Sequence, residues 1–222
     1  MYNLFHHQLC PLSKQIRVLL DEIKTDYNLK KEDYWLRRPE FIKMNQAGTL
    51  PILQTDSNEN IIGYYAIIEF LSESSDNFFL MPKDPLSRAN VRRYISWFND
   101  KFYREVSKII VDEKMIRPIT QSGEPRGEYI RLAKNNLLHH FNLIEKTLDD
   151  SAYLSSETIT CADIAAASHI AIIDYFGEIY WDRWPAIKHW YSIIKSRPSF
   201  RMILSDRIPG LNPPSHYSDP DF

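Results

Sequence analysis

From Leu12 onward the apolar residues Leu12, Ile16, Leu19, Leu20 and Ile23 recur at three- and four-residue spacings, with Lys14, Arg17, Asp21 and Glu22 between them. That periodicity predicts an amphipathic helix, opened by Pro11. Before it, residues 2–9 mix Tyr, Leu and Phe with polar residues and stop at the proline, which predicts a short strand. A second strand is expected over 29–35. A polar, Pro-containing stretch follows, then a third strand from Gly48 to Leu53, a turn over Asp56–Asn60 and a return at Ile61-Ile62. This last pair reads as a hairpin. Ala66 to Leu71 returns to helical spacing and runs into a loop from Ser72 to Pro85.

Beyond Pro85 the pattern is helical, with segments near 86–114, 126–149, 161–176 and 184–205. An α/β domain over 1–80 and an all-helical domain over 86–207 are therefore expected. Each is short for an independent domain, so the two should share a substantial interface. The Pro-rich stretch 208–222 is expected to be an extended, non-helical tail.

The 222 residues carry 27 Lys+Arg against 29 Asp+Glu, a net charge of -2, with 44% hydrophobic residues. The balance excludes disordered and collagen-like classes and gives no basic face for a nucleic acid or an anionic membrane. The longest apolar stretch, Ile164 to Ile173, falls short of the roughly 20 residues of a membrane span. The N-terminus lacks the basic and apolar regions of a secretory signal, so a cytoplasmic protein is expected. The only cysteines, Cys10 and Cys161, sit in no ligand cluster, so neither a disulfide nor a metal site is expected.

Several residues could carry chemistry. Cys10 stands where the first strand meets the first helix, so the helix dipole and the unpaired amides should lower its pKa, helped by Lys14 and Arg17. It is either a reactive thiol or a small buried hydrophobe. Ser13 could hydrogen-bond a bound sulfur or satisfy local backbone. A proline inside a strand, Leu50-Pro51, implies an edge position or a cis peptide that would offer the Leu50 backbone to an extended peptide. Thr160-Cys161-Ala162-Asp163 has the form of a capping box, a structural device whose loss should cost roughly 1 kcal/mol. Trp35, Arg37 and Arg38 have the composition of an interface hot spot, or else Trp35 packs internally beside solvated arginines.

The strings Cys10 to Leu20 and Pro39 to Leu53 resemble the thioredoxin-like domain of cytosolic glutathione transferases. Thr160 to Ile164, Trp184 to Trp190 and Arg197 to Phe200 are similar to their helical domain. The resemblance implies an α/β thioredoxin-like N-terminal domain followed by an all-α C-terminal domain. It also implies a cis Pro51, a homodimer, a cleft between the domains, and Cys10 placed against the glutathione sulfur. In that family a Glu or Gln followed by Ser binds the γ-glutamyl group, and here Gly63-Tyr64 stand in those places. Losing two or three charge-assisted hydrogen bonds, each about 1.5–3 kcal/mol, would remove useful affinity.

The ending, Ser196 to Leu211 and His216 to Phe222, resembles the glutathione-transferase-like cell-division proteins of alphaproteobacteria that bind FtsZ. That resemblance implies a dimeric FtsZ-binding regulator with weak or no glutathione binding. Trp35, Arg37, Arg38, Tyr217 and Phe222 are its candidate partner contacts, unless the tail is a strap on its own domain. The alternative is an active glutathione S-transferase with catalytic Cys10 and Ser13, glutathione held by Leu50, Pro51, Gly63 and Tyr64, and no cofactor. A third option is a ligand carrier using the cleft.

Overall fold

The computed structural model describes residues 1–75 and 78–220, and the chain divides into two compact units, Met1–Phe79 and Leu80–Phe222. The first unit holds a four-stranded sheet in the order β2-β1-β3-β4, with β1 at Tyr2–His6, β2 at Tyr27–Lys31, β3 at Ile52–Gln54 and β4 at Asn60–Ile62. β1 and β2 run parallel, with Tyr2 opposite Tyr27 and His6 opposite Lys31, so a crossover is required between them. Helix α1, Pro11–Glu22, supplies it. β3 pairs antiparallel with β1 and with β4, closing a hairpin whose turn is fixed by Asn58 in the left-handed region (φ 63°).

Leu4, Ile52 and Leu53 from the sheet, Ile16, Leu19 and Leu20 from α1, and Ile67 and Leu71 from helix α3 (Tyr64–Ser74) form the core of this unit. Two expectations shift. The second strand begins two residues earlier than its aromatic composition implies, and Tyr34–Leu36 form a 3-10 turn instead of its end, because Arg37 adopts a left-handed conformation (φ 47°) there. The polar stretch after it holds a helix that periodicity did not disclose, α2 at Pro39–Met44, with Pro39 in its first turn, Glu40 near its start and Lys43 near its end.

In the second unit a helical run extends from Pro85 to Ile119. It comprises α4 (Pro85–Ser96), α5 (Lys108–Val111) and α6 (Arg117–Ile119), separated by π-helical stretches at Trp97–Ser107 and Asp112–Ile116. Helices α7 (Gly127–Asp149), α8 (Cys161–Tyr175), α9 (Pro185–Ser196) and α10 (Pro198–Leu204) follow. Every residue of α8 is buried, as an all-round apolar helix requires. Its central histidine is paired with the preceding helical run: His169 Nδ1 lies 2.8 Å from Ser107 Oγ and Nε2 lies 3.1 Å from Asn99 Oδ1. This Ser-His-Asn array is sealed in the core, and burial pushes the His169 pKa down to about 3, so its role is structural.

The tail departs from a purely extended strand. Ser215–Ser218 form a 3-10 turn, and the segment is strapped to its own unit. Tyr175 Oη donates to Leu211 O at 2.6 Å and accepts from Ile208 N at 3.0 Å, His216 Nε2 lies 2.9 Å from Asp174 Oδ1, and Lys195 Nζ donates to His216 O at 2.9 Å. No helix among the described residues is long and apolar enough to cross a membrane.

Candidate functional site

Cys10 is the residue before α1 and carries an extended backbone (φ -92°, ψ 112°), with its N–H donating to His7 O at 3.0 Å. Its thiol is half-buried and packs against a cluster built from Phe41, Leu50 and Ile52, with Phe5, Tyr34, Ile42 and Met44 around it. Strand end, α2 and the segment before β3 thus bring Cys10 and Leu50 together. That environment overturns one expectation: the Cys10 pKa is raised, not lowered. Desolvation by the apolar cluster outweighs the opposing pull of the nearby Ser13 hydroxyl and amide, the Leu12 amide and the charge of Lys14. Arg17, expected to assist, instead acts on Asp21 and Tyr27.

The loop before Pro51 is organised by Asn45. Its Nδ2 donates to Thr49 O and Oγ1 at 2.9 and 3.0 Å, and its Oδ1 accepts from Ala47 N at 3.0 Å. Leu50-Pro51 is a cis peptide, and the Pro51 carbonyl accepts from Gly63 N at 3.0 Å, which ties the residue before α3 to the start of β3. At that helix start Gly63 (φ 85°, ψ 157°) offers no side-chain cap, and no acidic residue lies in the first turn. A Cβ built on Gly63 would meet nothing within 4 Å. Tyr64 is buried, with its ring edge-on to Tyr65 at 5.5 Å.

The expected partner contacts separate into three groups. Trp35 is half-buried, its ring 4.9 Å from His7 and 5.3 Å from Tyr34 in edge-to-face contacts, and beside it Arg37 is exposed. Arg38 is not a free surface arginine: Nε and Nη2 grip the buried Glu32 at 3.2 and 2.5 Å. Tyr217 is fully buried edge-on against Tyr175 at 5.2 Å, so it anchors the strap and presents nothing to a partner. Phe222 lies outside the described residues. The sequence reading overlooked His7 and Phe41. A histidine in a mixed strand and a phenylalanine in an unrecognised helix gave no local signal, yet the first props Trp35 and the second walls Cys10.

Thr160 and Asp163 close a reciprocal cap on α8. Asp163 Oδ2 accepts from Thr160 N at 2.9 Å and from Thr160 Oγ1 at 3.0 Å, while Oδ1 accepts from Leu154 N at 2.9 Å and Trp190 Nε1 at 3.1 Å.

Two family models match the chain: the glutathione S-transferase N-terminal domain over residues 9–74 and the glutathione S-transferase C-terminal domain over 127–192. FtsZ-localized protein A of Caulobacter vibrioides is 38% identical over 223 residues, 99% of this chain and 98% of that protein. The chain belongs to the glutathione S-transferase family. Among solved members of the family, a glutathione S-transferase from Rhodospirillum rubrum F11 superposes with a TM-score of 0.97 at 38% identity, covering 100% of both chains. FzlA from C. crescentus superposes at 0.95 with 38% identity, covering 100% of this chain and 99% of that one. The thioredoxin-like sheet followed by a helical domain is thus the family's architecture.

Proposed function

We propose that this chain is a homodimeric, FtsZ-binding cell-division regulator that keeps the glutathione-transferase fold but binds glutathione weakly or not at all. The observation that carries the second half is the start of α3, where Gly63 supplies no side chain and Tyr64 is buried. A γ-glutamyl group there would find neither the carboxylate or amide nor the small hydroxyl that its charged ends need. The raised Cys10 pKa points the same way, since a neutral thiol is a poor nucleophile at neutral pH. The full-length likeness to a protein named for FtsZ localisation supports the first half. The exposure of Arg37 beside Trp35 supports a partner contact there.

Co-pelleting with FtsZ polymers from the same organism tests this reading: retention in the pellet at tens of micromolar is expected, and its absence sinks it. Titration with reduced glutathione to several millimolar should give no saturable heat. The rival reading, a transferase that uses Cys10, draws on the likeness to a solved protein called a glutathione S-transferase. It requires saturable glutathione binding and a turnover that Cys10→Ala abolishes.

A further inference from the structure

Helix α8 ends in a double hydrogen-bonded turn: Gly177 N donates to Asp174 O at 2.9 Å and Glu178 N to Ile173 O at 3.2 Å, with Gly177 left-handed (φ 68°). The chain then forms a 3-10 turn at Trp181–Arg183, closed by Trp184 N donating to Trp181 O at 2.9 Å. These two fixed turns and the facing side of α7 enclose a pocket of about 370 Å³, within the range of specific binding sites. Its apolar surface comes from Leu138, Ile179 and Trp184, whose buried ring is braced edge-on by Phe141 at 5.4 Å. One wall is Tyr180, which is 73% exposed.

The charge around this pocket is unbalanced. Glu178 is the only acidic residue lining it among the described residues, and it is claimed twice, by Lys114 and by Lys134 Nζ at 2.9 Å. Arg183, at the rim, lies 5.0 Å over the Trp184 ring and forms no ion pair among the described residues. Two cations therefore share the Glu178 carboxylate, and Arg183 at the rim is left without an acidic partner among the described residues. Tyr, Trp and Arg converging on a preformed concavity is the composition of a binding hot spot, and rigid walls reduce the ordering cost of association.

We propose that this pocket docks a short acidic segment of a partner protein. One bulky apolar side chain is buried between Tyr180 and Trp184, and a flanking carboxylate pairs with Arg183. The proposal does not rest on FtsZ binding, whose candidate contact, Arg37 beside Trp35, belongs to the other unit.

Panning a phage library of random heptapeptides on the full chain, followed by anisotropy measurements on the enriched peptides, tests it. Expected winners carry an aromatic or large aliphatic residue beside Asp or Glu. Arg183→Glu should weaken them by about tenfold or more, and Tyr180→Ala by about fivefold. The same charge change at exposed Lys83, in Lys83→Glu, should alter affinity less than about twofold. Because Arg183 is exposed, Arg183→Glu should retain the parental thermal midpoint, which separates lost docking from lost folding. Pools without an acid and a bulky apolar residue overturn the proposal, and so do winners that bind Arg183→Glu as well as the parent.

Discussion

Helix α8 begins at a closed ring of hydrogen bonds, whereas α3 begins at a bare glycine. At α8 the Asp163 carboxylate gathers four donors, while Ala162 N donates to Thr160 Oγ1 and Cys161 N to Leu80 O, so the first turn is satisfied by the protein itself. At α3 no side chain caps the first turn, and the residue before it holds a backbone conformation that only glycine adopts easily. A helix start that the fold completes for itself is a stability device. A start left uncapped is where a ligand's charge would be received, and on the proposed reading Gly63 and Tyr64 offer glutathione no partner there.

The contrast is most exposed to Asp163→Ala. Four buried or part-buried donors would lose their acceptor together, so the loss should be about 3–5 kcal/mol in urea unfolding, several times an ordinary cap. A loss near 1 kcal/mol would mean that Asp163 is only a cap and would break the comparison. Further along α8, His169 is held neutral by burial. Because its folded pKa is depressed, the unfolded chain takes up a proton below about pH 6.5 that the folded chain refuses until about pH 3. Its contribution is present above pH 6.5 and falls by about 2 kcal/mol by pH 5. His140, also lowered mainly by burial, adds in the same direction. Urea midpoints at pH 7.5, 6 and 5 should therefore decline, and His169→Gln should flatten the decline. An unchanged slope would remove His169 as its source.

At α3 the test runs the other way. Gly63→Gln with Tyr64→Ser restores the family's pair, and two charge-assisted hydrogen bonds at about 1.5 kcal/mol each should raise glutathione affinity more than tenfold by calorimetry. The same change should lower stability by about 1–3 kcal/mol because residue 63 stands at φ 85°, and by about 3–5 kcal/mol more for the cavity left by the buried Tyr64 ring. The added side chain has room, since nothing lies within 4 Å of the new Cβ. No gain in affinity would overturn the proposal that the Gly63-Tyr64 pair weakens glutathione binding.

What the sequence disclosed follows the range of the interactions involved. Helix α1 and the Thr160–Asp163 cap were legible because their signals lie within one or two turns of chain. Tyr34-Trp35-Leu36 looked like strand because aromatic residues favour strands, but β2 is set by its register on β1, some 25 residues away, and Trp35 turns toward His7. Whether Tyr217 meets a partner or straps the tail down stayed open in the sequence because Tyr175, which it packs against, is remote along the chain. The glycine and tyrosine at the start of α3 were readable only against the family pattern. No periodicity marks a side chain that is absent.

The smallest effect concerns Cys10, where local and tertiary signals oppose one another. Its place before α1 favours a thiolate, and the cluster of Phe41, Leu50 and Ile52 favours a thiol. Since desolvation is the larger influence, alkylation by iodoacetamide should be slow at neutral pH and still rising beyond pH 9. Cys161 is fully buried and should not compete for the reagent. Ser13→Ala removes a nearby hydroxyl that favours the thiolate, so the rate at pH 8 should fall by about two- to threefold. Fast alkylation already level at pH 6 would instead show a stabilised thiolate. The start of α1 would then be a working anion site despite its apolar wall, and the transferase reading would regain its nucleophile.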